Sequence, residues 1–243
     1  MRVLHVIQCT NLGGMEHSAL QMMRKQIQRG HRWRLVSLNP IGGLGPLLEE
    51  LGIPFTGLNY RGRGGWLSLM EMYRAFRAEP ADAILMTGHN MGAMLALGGL
   101  CRGRRILFIH FHHTGVKPVW QWRLIYRLAC RQFAAICFVS DFIRREAEAI
   151  YPALRALSRT VRNPYELPEL PTVEEQAAAR SSLGLPPDVP VVGNAGWLIE
   201  RKRWDIFLQV AKVVAAEIPN SVFLIAGGGP FCVCGSIRWD LRR

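Results

Sequence analysis

The chain has 243 residues, 49% hydrophobic and 20% charged, which suits one large or two modest globular domains and excludes a disordered polypeptide. Its net charge of +12, with arginine well ahead of lysine, invites a polyanion without choosing among nucleic acid, an anionic membrane and a phosphorylated substrate; arginine-rich composition alone explains part of the excess. Six cysteines scattered over this length, several inside apolar runs, read as free thiols of a reducing compartment and not as a disulfide scaffold.

In chain order, RVLHVIQ (2–8) reads as a strand, not as the charged and apolar regions of a signal peptide. MEHSALQMMRKQIQRG follows as a helix with Leu20, Met23 and Ile27 on one face and Gly30 as its stop. A strand (32–38), a short helix GPLLEELG, a short strand IPFTGL and a helix (66–79) come next. Residues 83–100 are the best candidate for a membrane span, but His89, Asn90 and two glycine breaks fit a strand, a loop and a small-residue helix better. A strand (105–111), a helix (119–133), a strand (134–140) and a helix from Asp141 complete the pattern. Strands alternating with helices predict a parallel, doubly wound, Rossmann-like sheet over 1–165.

NPYELPELP (163–171), with three prolines and no apolar period, reads as a linker. A polar helix TVEEQAAARSSLG ends at Gly184, so 166–189 forms a linker and crossover helix. From Pro190 a strand, an amphipathic helix and a strand begin a second α/β unit, 190–243, shorter than the roughly 100–150 residues of a full domain. The tail FCVCGSIRWDLRR does not continue the rhythm.

Four constellations could carry chemistry. Gly13 and Gly14 join the first strand to the first helix, where bare N–H groups can meet an anion; a plain tight turn explains them equally well, and the G-x-G-x-x-G and P-loop patterns are absent. FIHFHHTG places His110, His112 and His113 at a strand's carboxyl end, the ligand side of an open α/β sheet. One of them as a polar contact or proton handler is preferred to a metal site, since no cysteine or acid stands at ligand spacing. Arg201, Lys202 and Arg203 stand at a helix start, where cations oppose the macrodipole unless an anion joins them; a solvated basic cluster is the alternative. Arg123, Arg127 and Arg131 form a stripe near Trp120 and Trp122, which suits an anionic leaflet, although an ordinary solvent-facing stripe with tryptophan in the core fits slightly better.

Taken in order, NLGGMEHSAL, FIHFHHTG, FVSDFIRREAEA, VRNPYEL and VVGNAGWLIERKRWDIFLQVAKVVAAEIPNSVFLIAGGGP resemble the glycosyltransferase family 4-like enzymes of the GT-B fold. The resemblance implies a GT-B-like α/β protein: an acceptor-side Rossmann-like domain and the incomplete start of a donor-binding one. It implies a hexosyltransferase that moves a sugar from a nucleotide sugar to a glycan or lipid-linked acceptor, with retention and without a metal or other cofactor. By residue, His112 or His110 would lie beside the transferring sugar. Gly13, Gly14, Gly196, Arg201 and Lys202 would serve the donor phosphates, with Lys202 neutralising the leaving diphosphate. Glu16, Ser140 and Asn163 would lie on the acceptor side.

Two departures stand out. Trp197 occupies the position where the family usually has arginine, so Arg201 or Arg203 would have to replace that clamp. The family's later pair of glutamates would lie beyond Arg243, and the likeness stops after Pro230, so a frameshift or early stop with impaired turnover is expected. A cytoplasmic enzyme of envelope polysaccharide synthesis is the leading expectation, with peripheral membrane contact through Arg123, Arg127 and Arg131 and no nucleic-acid partner. The alternatives are a non-catalytic glycan- or partner-binding remnant and, lower in order, a nicotinamide-dependent oxidoreductase.

Overall fold

The computed structural model describes residues 1–60, 66–98, 104–109, 117–165, 167 and 169–229, the side chains of Arg104 and Arg201 excepted. The chain divides into two compact units, Met1–Glu166 and Leu167–Arg243.

The first unit contains β1 (Arg2–Ile7), α1 (Gly14–Gln28), β2 (Arg32–Ser37), α2 (Gly45–Glu50), β3 (Phe55–Gly57), α3 (Trp66–Arg77), β4 (Ala83–Thr87), α4 (Met91–Gly98), β5 (Arg104–Ile109), α5 (Val119–Gln132), β6 (Ala135–Phe138), α6 (Asp141–Ile150) and β7 (Ser158–Thr160). The seven strands pair in the order β3-β2-β1-β4-β5-β6-β7, all parallel. Because parallel strands need crossovers, helices cover both faces, and β1, β2 and β4 are buried along nearly their whole length, His5 and Arg34 included.

Period-two alternation along β1 divides the core. Leu4 and Val6 join Met72, Phe76, Met94, Leu97, Trp122, Tyr126 and Phe138 on one face. Val3 and Ile7 join Leu20, Met23, Trp33, Leu35, Leu44 and Leu48 on the other. Helix α1 buries Ala19, Leu20 and Met23 and stops where Gly30, at φ +80°, donates its N–H to the Ile27 carbonyl.

The sequence reading assigns no element between α6 and the linker, yet β7 pairs there with β6. Three polar residues, Ser-Arg-Thr, carry no alternation to read. Side chains of α6 specify the strand instead: the Ser158 hydroxyl donates to Glu148 at 2.6 Å and the Thr160 hydroxyl to Asp141 at 2.7 Å. Arg144 donates to Asp141, Glu148 and Thr160, so the polar edge is held by a satisfied network.

The second unit contains α7 (Val173–Ser182), β8 (Val191–Ala195), α8 (Trp204–Glu217) and β9 (Val222–Ala226). A capping box opens α7: Glu175 N–H donates to Thr172 Oγ1, and Thr172 N–H donates to the Glu175 carboxylate. Strands β8 and β9 run parallel, with Val191 opposite Val222 and Ala195 opposite Ala226. Phe207 of α8 meets Phe223 of β9 edge-on, with ring centres 6.3 Å apart. Among the described residues of the whole chain, no helix is long and apolar enough to cross a membrane; residues 83–98 form β4 and α4.

Candidate functional site

In the first unit the strand order reverses direction at β1 and β4, since β2 and β3 lie to one side and β4 to β7 to the other. Ligands of open α/β sheets bind outside the carboxyl ends of the strands at such a switch point. Two turns meet there. The turn after β1 carries Gln8 to Gly13, with Glu16 in the first turn of α1 beyond it; the turn after β4 carries Gly88, His89 and Asn90. Asn90 Nδ2 donates to Gln8 Oε1 at 3.1 Å and ties the two together. The buried Thr10 fixes the first turn from beneath: its hydroxyl accepts from Gly42 N–H at 2.8 Å and its carbonyl from Leu44 N–H at 2.9 Å.

Gly13 caps α1 with an extended backbone (φ −139°) and no side chain to close the first turn. Gly14 has open space where a Cβ would stand. Glu16 is buried over the same turn and its carboxylate accepts the Cys9 thiol at 3.3 Å; burial, then this bond, pushes the Cys9 thiol up. The amino end of α1 therefore already carries an anionic side chain, which complements its dipole.

His89 and Asn90 enter the sequence reading only as polar interruptions of an apolar run, yet they stand at the switch point. Only topology reveals this, because β4 follows β1 in space and not in sequence. The His89 ring lies 5.0 Å from that of Trp122. Burial, aided by the Lys117 charge, pushes the His89 imidazole down to about 4 from its usual 6.5. A neutral imidazole in the fold must charge as pH falls, so its contribution to stability is complete above about 6.5 and is lost as pH falls toward 4. His89→Gln is expected to flatten the decline in unfolding free energy, measured by urea titration between pH 7 and 4, by about 1 kcal/mol once partial exposure is allowed for. Superimposable pH profiles for the two proteins would show that His89 is solvated.

The other expected residues lie apart from this point. Ser140 follows β6 and caps α6, its hydroxyl accepting from Ile143 N–H at 3.3 Å. Asn163 is exposed beyond β7; the next residues, Pro164 and Tyr165, share a cavity of about 190 Å³ with Gln21 and Lys25 of α1. His110 and His112 lie outside the described residues. The stripe on α5 is as expected in spacing: Arg123, Arg127 and Arg131 are exposed. Its two tryptophans separate, however. Trp122 is fully buried and Trp120 is 61% exposed, because residues two apart on a helix point to different sides.

A larger cavity, about 380 Å³, opens at the opposite end of the sheet among Arg2, Arg32, Trp33, Arg34 and Glu79. Two of its basic groups are already engaged: Arg34 donates to the Ala75 and Phe76 carbonyls at the end of α3, and Arg2 pairs with Asp82 at 2.8 Å. Arg34 thereby offsets the carboxyl end of α3.

In the second unit the turns after β8 and β9 are stitched together: Gly196 N–H donates to the Ala226 carbonyl at 2.8 Å and Leu198 N–H to the Gly228 carbonyl at 2.9 Å. Glycine is required at 227, where a Cβ would fall on the Gly196 carbonyl oxygen. Arg201 and Lys202 lie in a 3-10 turn, Glu200–Lys202, that precedes α8 and does not belong to it; the Arg201 side chain is outside the described set. Arg203 caps α8 in the left-handed region (φ 52°) and pairs with Asp205 at 2.7 Å. Asp205, in the first turn, is thus the anion that the basic cluster needs. Lys202 is exposed, and its Cε lies 3.8 Å from the position a Cβ on Gly196 would take. The structure therefore brings Gly196 and Lys202 together at the carboxyl ends of two parallel strands. Trp197 is half-exposed and its carbonyl accepts from Trp204 Nε1 at 2.9 Å.

Among the described residues no group of three or more His, Cys, Asp or Glu side chains could hold a metal ion.

Comparison with known proteins adds the following. A family model described as Glycosyltransferase Family 4 matches residues 12–167. A glycogen synthase of Rhodopirellula baltica is 36% identical over 59 residues, 24% of this chain and 12% of the synthase. The crystal structure of Anabaena Alr3699/HepE in complex with UDP-glucose superimposes with a TM-score of 0.71 at 17% identity, over 95% of this chain and 62% of that one. A glycosyltransferase of Rickettsia africae gives a TM-score of 0.65 at 12% identity, over 93% of this chain and 68% of that one. At these identities the structural likeness speaks for the fold, and it bears out the GT-B-like α/β expectation. The chain spans 62% of the length of the Anabaena protein it matches.

Proposed function

Because the chain belongs to Glycosyltransferase Family 4, we propose that it serves transfer of a sugar from a nucleotide-sugar donor to a hydroxyl of a glycan or lipid-linked acceptor, with retention of configuration. The acceptor is received at the β1–β4 switch point of the first unit, and the donor diphosphate is held in the second. The observation that carries this reading is the placement of Lys202 over Gly196 at the carboxyl ends of β8 and β9. Cleavage of a nucleotide sugar leaves negative charge on the diphosphate. A cation and backbone N–H groups fixed in advance at that oxygen lower the barrier without reorganising at the moment of reaction. The turn before α8 supplies the cation, Lys202; the Gly196 and Leu198 N–H groups are already donated to carbonyls and hold the turn in shape beneath it.

On the first unit, the exposed Arg123, Arg127 and Arg131, flanked by the exposed Trp120 and Leu124, support a peripheral contact with an anionic leaflet. An envelope acceptor presented at the cytoplasmic face fits that contact.

The test is titration of the chain with UDP-glucose, UDP-galactose and the corresponding GDP- and ADP-sugars by calorimetry. At least one nucleotide sugar is expected to bind in the absence of divalent metal, with affinity that falls as salt rises. A chain that binds none of them, with or without magnesium, would refute the donor assignment.

A further inference from the structure

We propose that the first unit docks on an anionic bilayer through its whole α3–α4–α5 layer, tipped so that the amino ends of these helices enter the headgroup region. The inference rests on the leaflet contact given above to α5; it adds α3 and α4 to the surface and fixes its orientation.

The two faces of the sheet differ. Helices α1 and α2 cover one face and, among the described residues, expose no large apolar side chain; α2 ends in the exposed Glu49 and Glu50. On the other face α4 packs between α3 and α5. Their inner residues share one core, with Met72 and Phe76 from α3, Met94 and Leu97 from α4, and Trp122 and Tyr126 from α5. A Cβ on Gly92 would lie 3.7 Å from Leu69, which sets the amino ends of α3 and α4 together. The outer side of this layer is apolar. On α3, Trp66 is 74% and Leu67 83% exposed; Met91 and Leu95 of α4 and Trp120 and Leu124 of α5 are exposed with them. Apolar exposure spread over three adjoining helices marks a contact surface.

Charge chooses the partner. Along α3, α4 and α5 the only acid is Glu71, against Arg74, Arg77, Arg123, Arg127 and Arg131. The basic excess of the chain belongs to this unit altogether: residues 1–166 hold 22 basic and 10 acidic side chains, whereas residues 167–243 hold eight of each. A second copy would bring the same arginines against these and be repelled, whereas an anionic leaflet is attracted by them.

Position fixes the orientation. In a parallel sheet each crossover helix starts at the carboxyl end of the strand before it. On α5, Trp120, Leu124, Arg127 and Arg131 follow one another at i, i+4, i+7 and i+11 along one exposed face, apolar first and basic last. Helix α3 repeats the order, with Trp66 and Leu67 in its first turn and Arg74 and Arg77 in its last. At about 1.5 Å per residue, Trp120 and Arg131 stand roughly 16 Å apart along the axis. Tipping the layer seats the apolar ends at the acyl boundary and leaves the arginines at the level of the phosphates. The carboxyl ends of the strands, with the β1–β4 switch point, then turn toward the lipid.

The test is flotation of the chain with vesicles of phosphatidylcholine, alone or mixed with phosphatidylglycerol. The mixed vesicles should bind the chain about tenfold or more tightly. Trp66→Ser with Leu67→Ser should weaken that binding by about tenfold or more. Arg127→Gln with Arg131→Gln should weaken it by about 25-fold, fivefold for each arginine. Arg24→Gln with Arg29→Gln removes as much charge from α1 and should change it by less than about threefold. Thermal midpoints of all three pairs should match that of the intact chain. Acyl-brominated lipid in the mixed vesicles should quench tryptophan fluorescence, and Trp66→Phe and Trp120→Phe should each remove part of the quenching, since Trp33 and Trp122 are buried. No preference for the anionic vesicles, equal losses from the α1 and α5 charge pairs, or quenching indifferent to Trp66 overturns the proposal. If the α5 arginines matter and Trp66 and Leu67 do not, α5 alone makes the contact; the reading above then stands and this one falls. Failure of the donor assignment is seen separately, in the nucleotide-sugar titration, and leaves vesicle binding in place.

Discussion

Lys202→Ala is expected to weaken nucleotide-sugar binding by about 10- to 100-fold, the loss of a charge-assisted contact worth ~1.5–3 kcal/mol. Calorimetry with the nucleotide sugar that binds the intact chain most tightly would measure it. Lys202 is exposed and has no ion pair among the described residues, so its removal leaves the fold intact. Lys202→Arg should retain most of the affinity, because the charge survives. Arg203 provides the contrast within one turn. It is already bound to Asp205 at 2.7 Å, which holds the Asp205 carboxyl below its ordinary range. Arg203→Ala should therefore change donor affinity less than threefold. Equal effects at the two positions would mean that binding follows the general basicity of the surface and not the seat at Gly196.

The second large effect concerns stability. Trp122→Ala should destabilise the first unit by about 3–5 kcal/mol, from lost burial plus the cavity left behind. The side chain is fully buried, stacks on Tyr126 at 5.5 Å and lies 5.0 Å from His89. Thermal unfolding followed by circular dichroism should show a midpoint lowered by on the order of 10 °C. Trp122→Phe should cost less, because most of the apolar volume remains. Since Trp122 also backs the His89 ring, the alanine variant should raise the His89 imidazole from about 4 toward its ordinary value. A shift of midpoint below about 2 °C would show that the α5 face is not packed as described.

Which strands and helices exist was legible in the sequence wherever burial imposed a period. The runs at 2–7, 32–37 and 83–87, buried along nearly their whole length, are strands because both their faces are covered, and the stripe Ala19, Leu20, Met23 marks the inner side of α1. The ordered motifs were enough to recognise the family. Strand β7 escaped because its partners are hydrogen bonds from α6, and hydrogen-bonded polar residues leave no alternation.

The candidate site divides along the same line. Gly13, Gly196 and Lys202 could be picked out one by one, since a glycine turn after a strand is a local event and Lys202 is only six residues from Gly196. The meeting of Gln8 with Asn90 could not. They are 82 residues apart, and they touch only because β4 docks beside β1 after the chain has laid β2 and β3 on the other side. Local pattern reports what each segment buries. Which segments become neighbours is decided by the crossovers, and a direction of hydrogen bonding between two amides exists only once both have arrived.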